Sequence, residues 1–328
     1  MKYLLTIWIW LGCVLGVWAT SPKNDFPVFW SGKEKYVALR DVAAVYGMSI
    51  SKPAAQRITL QDRTQTIVFK TEGREVLYGG NLIWLHAPVS LVRGRWAMRE
   101  VDLRVVLDPL HRPERYLKSV RHRVIVLDPG HGGQDTGAKG KRGVEEKRVA
   151  LDLARRLRAH LVNAGYKVYL TRENDRFIEL DDRCRKAARW GADLFLSIHL
   201  NSAGSETAAG VETYALAAAG YESTSGGLSN LTQPGNRYES ANGVLAYQIQ
   251  RALTQRLGAT DRGVKRSRFL VLKNAPCPAV LIECAFVSNA REEAQLLDDA
   301  HREVMAQAIA RGTLNYLNLA KRAQSEAP

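Results

Sequence analysis

The chain has 328 residues, 46% of them hydrophobic and 24% charged, with no low-complexity block and no convincing internal repeat. That composition is globular, and the length suits two ordinary domains. The formal charge of +14 calls for a polyanionic neighbour. The basic residues are scattered, however, and no helix-turn-helix, zinc-finger or aromatic RNA-binding signature accompanies them, so nucleic acid is not the expected partner. An anionic cell envelope meets the charge equally well.

Residues 1–19 read as a secretory signal peptide: Lys2 supplies the charged start, one short apolar run follows, and Val17 and Ala19 stand where a signal peptidase requires small residues. The run barely reaches across a bilayer and no basic stop-transfer cluster follows. The expectation is an exported protein of the periplasm or cell envelope, with no stable membrane span after cleavage. Removing Cys13 leaves Cys184, Cys277 and Cys284, an odd number that guarantees a free thiol in a monomer. Cys277 and Cys284 are close enough to pair if the chain turns back, which spacing alone does not decide.

Residues 26–110 form a separate segment, predicted as a small α+β domain. Its residues 36–47 begin with strand-like alternation and continue as a short helix closed by Gly47. Short β-type runs at 58–60, 66–69, 76–78 and 82–85 predict hairpins. Through Val37-Ala38-Leu39-Arg40-Asp41-Val42-Ala43 this segment resembles the stalk domain named for the amino-terminal region of copper amine oxidases. Its single histidine, His86, stands without a ligand cluster, so the segment reads as a spacer or wall-contact module. Residues 111–122 are the predicted linker.

Residues 123–318 alternate strand and helix. Strands are expected at 124–127, 167–171, 194–200, 211–216 and 278–283, and helices at 146–161, 182–190 and 241–257, with two more before 317. Residues 217–240 are Gly-, Ser- and Asn-rich and read as a long surface loop; residues 319–328 read as a disordered tail. Repeated strand–helix units predict an α/β fold with a mostly parallel sheet covered by helices on both faces.

The chemistry concentrates at strand ends, where ligands collect in open α/β sheets. Val124-Ile125-Val126-Leu127 stops in Asp128-Pro129-Gly130-His131-Gly132-Gly133, and His199 lies near the end of a second apolar strand. One histidine at a strand end is ordinarily a hydrogen-bonding or surface residue; two suggest a shared metal. No H-E-x-x-H or Cys-x-x-Cys is present to decide the matter. A hydrolytic zinc ion takes three protein ligands and keeps a fourth position for water. Glu145 and Glu146 are adjacent candidates for the third ligand, and spacing does not choose between them; either alone is commonplace at a helix amino terminus. Glu283 is read as ending an apolar strand at the same edge.

Asp128-Pro129-Gly130-His131-Gly132-Gly133, Glu146-Lys147, Ser197-Ile198-His199-Leu200-Asn201 and Val280-Leu281-Ile282-Glu283, in that order, resemble the zinc-dependent N-acetylmuramoyl-L-alanine amidases of the amidase-3 family over roughly residues 120–320. The resemblance implies one Zn²⁺ held by His131, Glu146 and His199, Glu146 being selected because the family's ligand precedes a Lys. It implies Glu283 as the catalytic glutamate, and peptidoglycan as the partner, cut between N-acetylmuramic acid and L-alanine of the stem. Arg172, Asn201 and Arg262 fall in similar stretches; Arg172 reads as a structural salt bridge, and Lys265, Arg266 and Arg268 as a solvated basic rim. The 217–240 stretch lacks the helical pattern of an autoinhibitory insert, and no activator is specified. The alternatives are a zinc peptidase acting within the stem and a non-catalytic wall-binding protein.

Overall fold

The computed structural model describes residues 26–117 and 123–325. The predicted signal, Cys13, the linker residues 118–122 and the last three residues lie outside that range. The first region opens with the hairpin β1 (Val28–Ser31) and β2 (Glu34–Ala38), then helix α1 (Leu39–Tyr46), which ends at Gly47 in the left-handed conformation, φ 66°. Strands β3 (Ser49–Ile50), β4 (Arg57–Gln61), β5 (Thr66–Lys70), β6 (Gly73–Tyr78) and β7 (Asn81–Val92) form an antiparallel meander. β8 (Arg95–Arg99) turns back from the far end of β7 and pairs with β2. Two short helices, α2 (Glu100–Asp102) and α3 (Asp108–His111), follow around a π-helical turn. The start of the predicted linker is packed rather than extended: Leu117 is buried, and Arg112 and Tyr116 both donate to the Asp108 carboxylate at 2.6 and 2.5 Å.

The second region runs β9 (Val124–Pro129), α4 (Glu146–Asn163), β10 (Lys167–Leu170), α5 (Leu180–Arg189), β11 (Leu194–Asn201) and β12 (Val211–Leu216). The predicted loop over 217–240 carries a small hairpin, β13 (Tyr221–Glu222) with β14 (Leu228–Ser229), and a 3-10 turn. Then come α6 (Glu239–Leu257), β15 (Asp261–Ser267), α7 (Leu270–Lys273), β16 (Ala279–Phe286), α8 (Ala290–Leu297) and α9 (Asp299–Ser325). The sheet order is β10-β9-β11-β16-β12-β15. All neighbours are parallel except β16 with β12, so the sheet is mostly parallel, as expected, with its last two strands reversed.

Alternation along the strands feeds two cores. Ile125, Leu127, Leu196, Ile198, Val280 and Ile282 pack with residues of α4, α6 and α9, while Val126, Phe195, Ala279 and Leu281 pack with Cys184, Ala187 and Val271 of α5 and α7. Covering both faces explains why these strands are continuous apolar runs; each Leu or Ile fully buried stabilises by roughly 1.5–3 kcal/mol. All three described cysteines are free and buried, so Cys277 and Cys284 do not pair.

The two regions share one sheet. Val264 of β15 pairs with Ile83 of β7, Leu82 N–H donates to Asp261 Oδ2 at 2.8 Å, and Trp84 Nε1–H donates to the Arg262 carbonyl at 3.1 Å. Tyr247 of α6 donates its hydroxyl to the Tyr78 carbonyl at 3.0 Å. The main core runs through both regions. One expectation fails at the carboxyl terminus: the tail predicted disordered from residue 319 is helical to Ser325, because Ala320 and Ala323 bury one α9 face against the body. Its polar composition hid a small apolar stripe. Among the described residues no helix is long and apolar enough to cross a membrane.

Candidate metal centre at the sheet edge

Three separated segments deliver three donors to one point. His131 Nε2 lies 3.1 Å from Glu146 Oε1, and His199 Nδ1 lies 2.9 Å from the same oxygen. One ligand atom from each of His131, Glu146 and His199 falls within 4.8 Å of the others. Two imidazole nitrogens and one carboxylate oxygen gathered this closely form a donor set compatible with a metal ion. Glu145, the neighbouring alternative, instead pairs with Lys139 and Arg148 at 3.1 and 3.0 Å. Of the two glutamates, Glu146 is the one that meets the histidines.

Local backbone geometry makes the convergence possible. His131 has φ 59°, a left-handed conformation costly for a residue with a Cβ. A Cβ at Gly130 would stand 2.6 Å from His199 Nε2, and one at Gly137 would stand 2.5 Å from Glu146 Oε2 and 2.7 Å from His131 Cδ2. Both positions therefore require glycine for clearance. Asp135 Oδ2 lies 2.8 Å from His131 Nδ1, orienting the ring so that Nε2 faces Glu146. Glu146 begins α4, where its Oε2 accepts Ala138 N–H at 2.8 Å and its Oε1 accepts Leu200 N–H at 3.0 Å.

Two buried arginines fix the turn that carries His131. Arg183 of α5 pairs with Asp128 Oδ1 at 2.9 Å and donates to the Pro129 and His131 carbonyls at 2.8 and 2.9 Å. Arg172 donates to the carbonyls of Pro129, Gly130 and Lys147 at 3.0, 2.7 and 2.7 Å. The expected salt bridge of Arg172 is thus corrected: its partners are main-chain carbonyls, and burial with the nearby Arg183 charge pulls its pKa down to about 10. Asp128 also accepts from the Thr171 and Ser197 hydroxyls at 2.6 and 2.8 Å. Burial works to raise the Asp128 pKa, but Arg183 and these two hydroxyls hold it below the usual carboxylate value.

Glu283 lies beside this centre, in register with His199 on the adjacent parallel strand. Contrary to expectation it does not end its strand: β16 continues through Cys284, Ala285 and Phe286. Its Oε2 is sealed from solvent and has no hydrogen-bond partner among the described residues. Burial, then the negative charges of Glu146 and Glu212, push its carboxyl well above the ordinary range. Glu146 itself is held low: burial opposes ionisation, but hydrogen bonds and charge from His131 and His199 prevail. His131 is correspondingly raised, because Glu146 and Asp135 outweigh the burial that disfavours its cation.

On the other flank, Glu212 of β12 pairs in register with Glu283. Glu212 is saturated: it accepts Asn201 Nδ2 at 2.6 Å, the Tyr214 hydroxyl at 2.7 Å and Arg262 Nε at 2.9 Å, and it also binds Lys265. The predicted solvated rim is therefore wrong in two of its members. Lys265 is tied inward to Glu212, and Arg266 is almost fully buried, following Val264 onto the inner face of β15 by the period of two. Arg268 stays partly solvated, and it donates to the carbonyls of Gly227, Ala218 and Tyr221. Sequence reading assigned no role to Asp128, Asp135, Arg183 or Glu212. A charge inside an apolar strand, as in Val211-Glu212 or Leu127-Asp128, was the available signal.

Two histidines and a carboxylate thus meet at the strand edge of an open, mostly parallel α/β sheet, beside a carboxyl whose Oε2 is buried, and form a candidate metal site. Residues 125–315 match the Amidase_3 family model, N-acetylmuramoyl-L-alanine amidase, and the chain belongs to that family. It is 42% identical over 193 residues to N-acetylmuramoyl-L-alanine amidase LytC of Bacillus subtilis, covering 58% of this chain and 35% of that relative. Against N-acetylmuramoyl-L-alanine amidase AmiA of Escherichia coli it is 36% identical over 235 residues, 63% of this chain and 81% of the relative. Among solved structures, the catalytic domain of CwlV, an amidase from Bacillus (Paenibacillus) polymyxa var. colistinus, superposes with TM-score 0.52 at 35% identity, over 60% of this chain and 99% of that one. The matches leave the first region largely uncovered.

Proposed function

We propose that this chain is an exported zinc amidase that hydrolyses the amide between the lactyl group of N-acetylmuramic acid and L-alanine in peptidoglycan. Residues 123–318 would be the catalytic domain and residues 26–110 a stalk, resembling that of copper amine oxidases, which holds it at the wall. The observation that carries the reading is the meeting of His131 Nε2, Glu146 Oε1 and His199 Nδ1 next to the unpartnered Oε2 of Glu283. The two imidazoles and one carboxylate suit zinc by donor type. When bound there, a zinc ion would supply a Lewis acid for the amide carbonyl and acidify attacking water.

The chain's own residues supply the rest. Asp135 holds the His131 ring in the tautomer whose Nε2 faces the ligand point. Arg172 and Arg183 keep the 129–131 carbonyls from moving as substrate enters. The Glu283 carboxylate takes a proton from water as the water oxygen bonds to the carbonyl carbon. It returns that proton to the alanine nitrogen as the carbon–nitrogen bond breaks. No covalent enzyme intermediate is needed. Saturation of Glu212 leaves Glu283 as the carboxyl free for this task.

Mass spectrometry of digested sacculi tests the bond. Release of intact stem peptides with free L-alanine amino termini is expected. Shortened stems still attached to sugar would replace the amidase by a peptidase, and binding without products would leave a wall-binding protein.

A further inference from the structure

The first region contains a cavity of about 490 Å³ that the catalytic centre does not use. It lies where the start of α1, the β3–β4 connection and the β7–β8 turn meet. Its lining brings together Arg40, Lys52, Arg93 and Arg95 with the apolar surfaces of Trp96 and Ile50, and no Asp or Glu lines it. All four cations are exposed. Among the described residues the side chains of Arg40, Lys52 and Arg93 meet no hydrogen-bond or ion-pair partner, and Arg95 lies 5.4 Å from the Phe29 ring centroid. Other cations of the same region are neutralised: Arg99 pairs with Glu34, Lys70 with Glu75, and Arg112 with Asp108. Four unneutralised charges around one concavity repel one another, so the arrangement is stabilised by an anion that enters it.

The rest of the lining narrows the chemistry. A phosphate polymer needs only the cations. This cavity also offers a half-buried Trp96 and an exposed Ile50, the kind of surface on which the apolar face of a sugar ring rests. Arg93 heads the β7–β8 turn with φ 48°, followed by Gly94 at φ 72°, a two-residue turn that fixes where the side chain leaves the hairpin.

We propose that this cavity binds a carboxylate-bearing segment of peptidoglycan, giving the chain a second contact with its substrate polymer. The proposal rests on the amidase reading for the identity of that polymer. Stem-peptide carboxylates would meet Arg40, Lys52, Arg93 and Arg95, and a sugar face would lie against Trp96.

The test uses the full chain carrying Glu283→Ala, which prevents digestion, and measures co-sedimentation with purified sacculi. Adding Arg40→Gln, Lys52→Gln and Arg95→Gln together should weaken binding on the order of tenfold, three exposed ion pairs each contributing below about 1 kcal/mol. Lysine at positions 40 and 95 should restore most of it, which a merely structural role would not. Sacculi whose carboxyls have been amidated should bind the parent as weakly as untreated sacculi bind the triple variant. Unchanged binding by the triple variant, binding indifferent to amidation, or tighter binding to inorganic polyphosphate or a single-stranded oligonucleotide would each overturn the proposal. With Glu283 intact, the triple variant should cleave a small soluble muropeptide at the parent rate. If neither protein cleaves it while the binding difference persists, the amidase reading fails and the anion site stands.

Discussion

Two of the histidine–carboxylate clusters among the described residues differ in what is left over. At the junction of the two regions, His86 Nδ1 lies 2.7 Å from Asp102 Oδ1 and His86 Nε2 accepts Ala218 N–H at 3.2 Å. Asp102 also accepts the His86 and Ala87 amides at 2.8 and 3.2 Å. Every polar atom of that histidine is occupied by protein, and the pair is sealed from water. At the sheet edge, two histidines share one oxygen of Glu146, both rings stay partly exposed, and Glu283 Oε2 has no partner. A satisfied pair stabilises a junction; an over-shared oxygen beside an orphan carboxyl marks a place where something must bind.

The sharpest way to break this contrast is Glu283→Gln. It should lower amide cleavage by about 10²–10⁴-fold while leaving zinc content unchanged, read by product release and by metal analysis of the same preparation. Equal activity in the two proteins would reduce Glu283 to a buried structural acid. Next in size, His131→Ala should reduce bound zinc below one per chain and abolish activity. A chelator should inactivate the parent, and added zinc should restore it. By contrast, His86→Ala should leave zinc content untouched.

Asp128→Asn comes third. It removes one partner of a pair that is buried on both sides, at a cost of about 3–5 kcal/mol at neutral pH, visible as a lower denaturation midpoint. The folded pKa of Asp128 is depressed. Its stabilisation is therefore present above the unfolded value of about 3.9 and is lost as pH falls through the folded value. The gap between parent and variant should accordingly shrink in acid. A gap independent of pH would mean that Asp128 acts by shape rather than charge. The smallest effect belongs to the junction: His86→Leu should cost about 1–3 kcal/mol through the unsatisfied Asp102 and Ala218 groups, with turnover per folded molecule unchanged.

Much of the site was legible because its ligands sit in short, glycine-marked segments at strand ends, where sequence order alone brings them near one edge. His131, Glu146 and His199 meet as expected. What stayed hidden depends on partners distant in sequence. Arg183 lies on a helix rich in charge, and nothing local distinguishes it from Arg185, which stays exposed. Arg266 and Lys265 sit in a strand with a single aliphatic residue, so β15 itself went unrecognised and its arginine was placed outside. Glu283 was read as a strand terminus because a charge after four apolar residues ordinarily meets water; here β16 continues past a half-buried Glu283. The joining of the two regions through β7 and β15 rests on a long-range pairing that periodicity does not encode.

That pairing has a consequence for anyone who trims the protein. β15 is one of the two edge strands of the amidase sheet, the other being β10, and β7 lies along the otherwise open side of β15. An exposed strand flank is a template for another chain. A fragment starting at residue 123 should therefore self-associate as concentration rises, which light scattering would reveal, while the full chain stays dispersed. In this molecule the first region serves as a bumper for its neighbour.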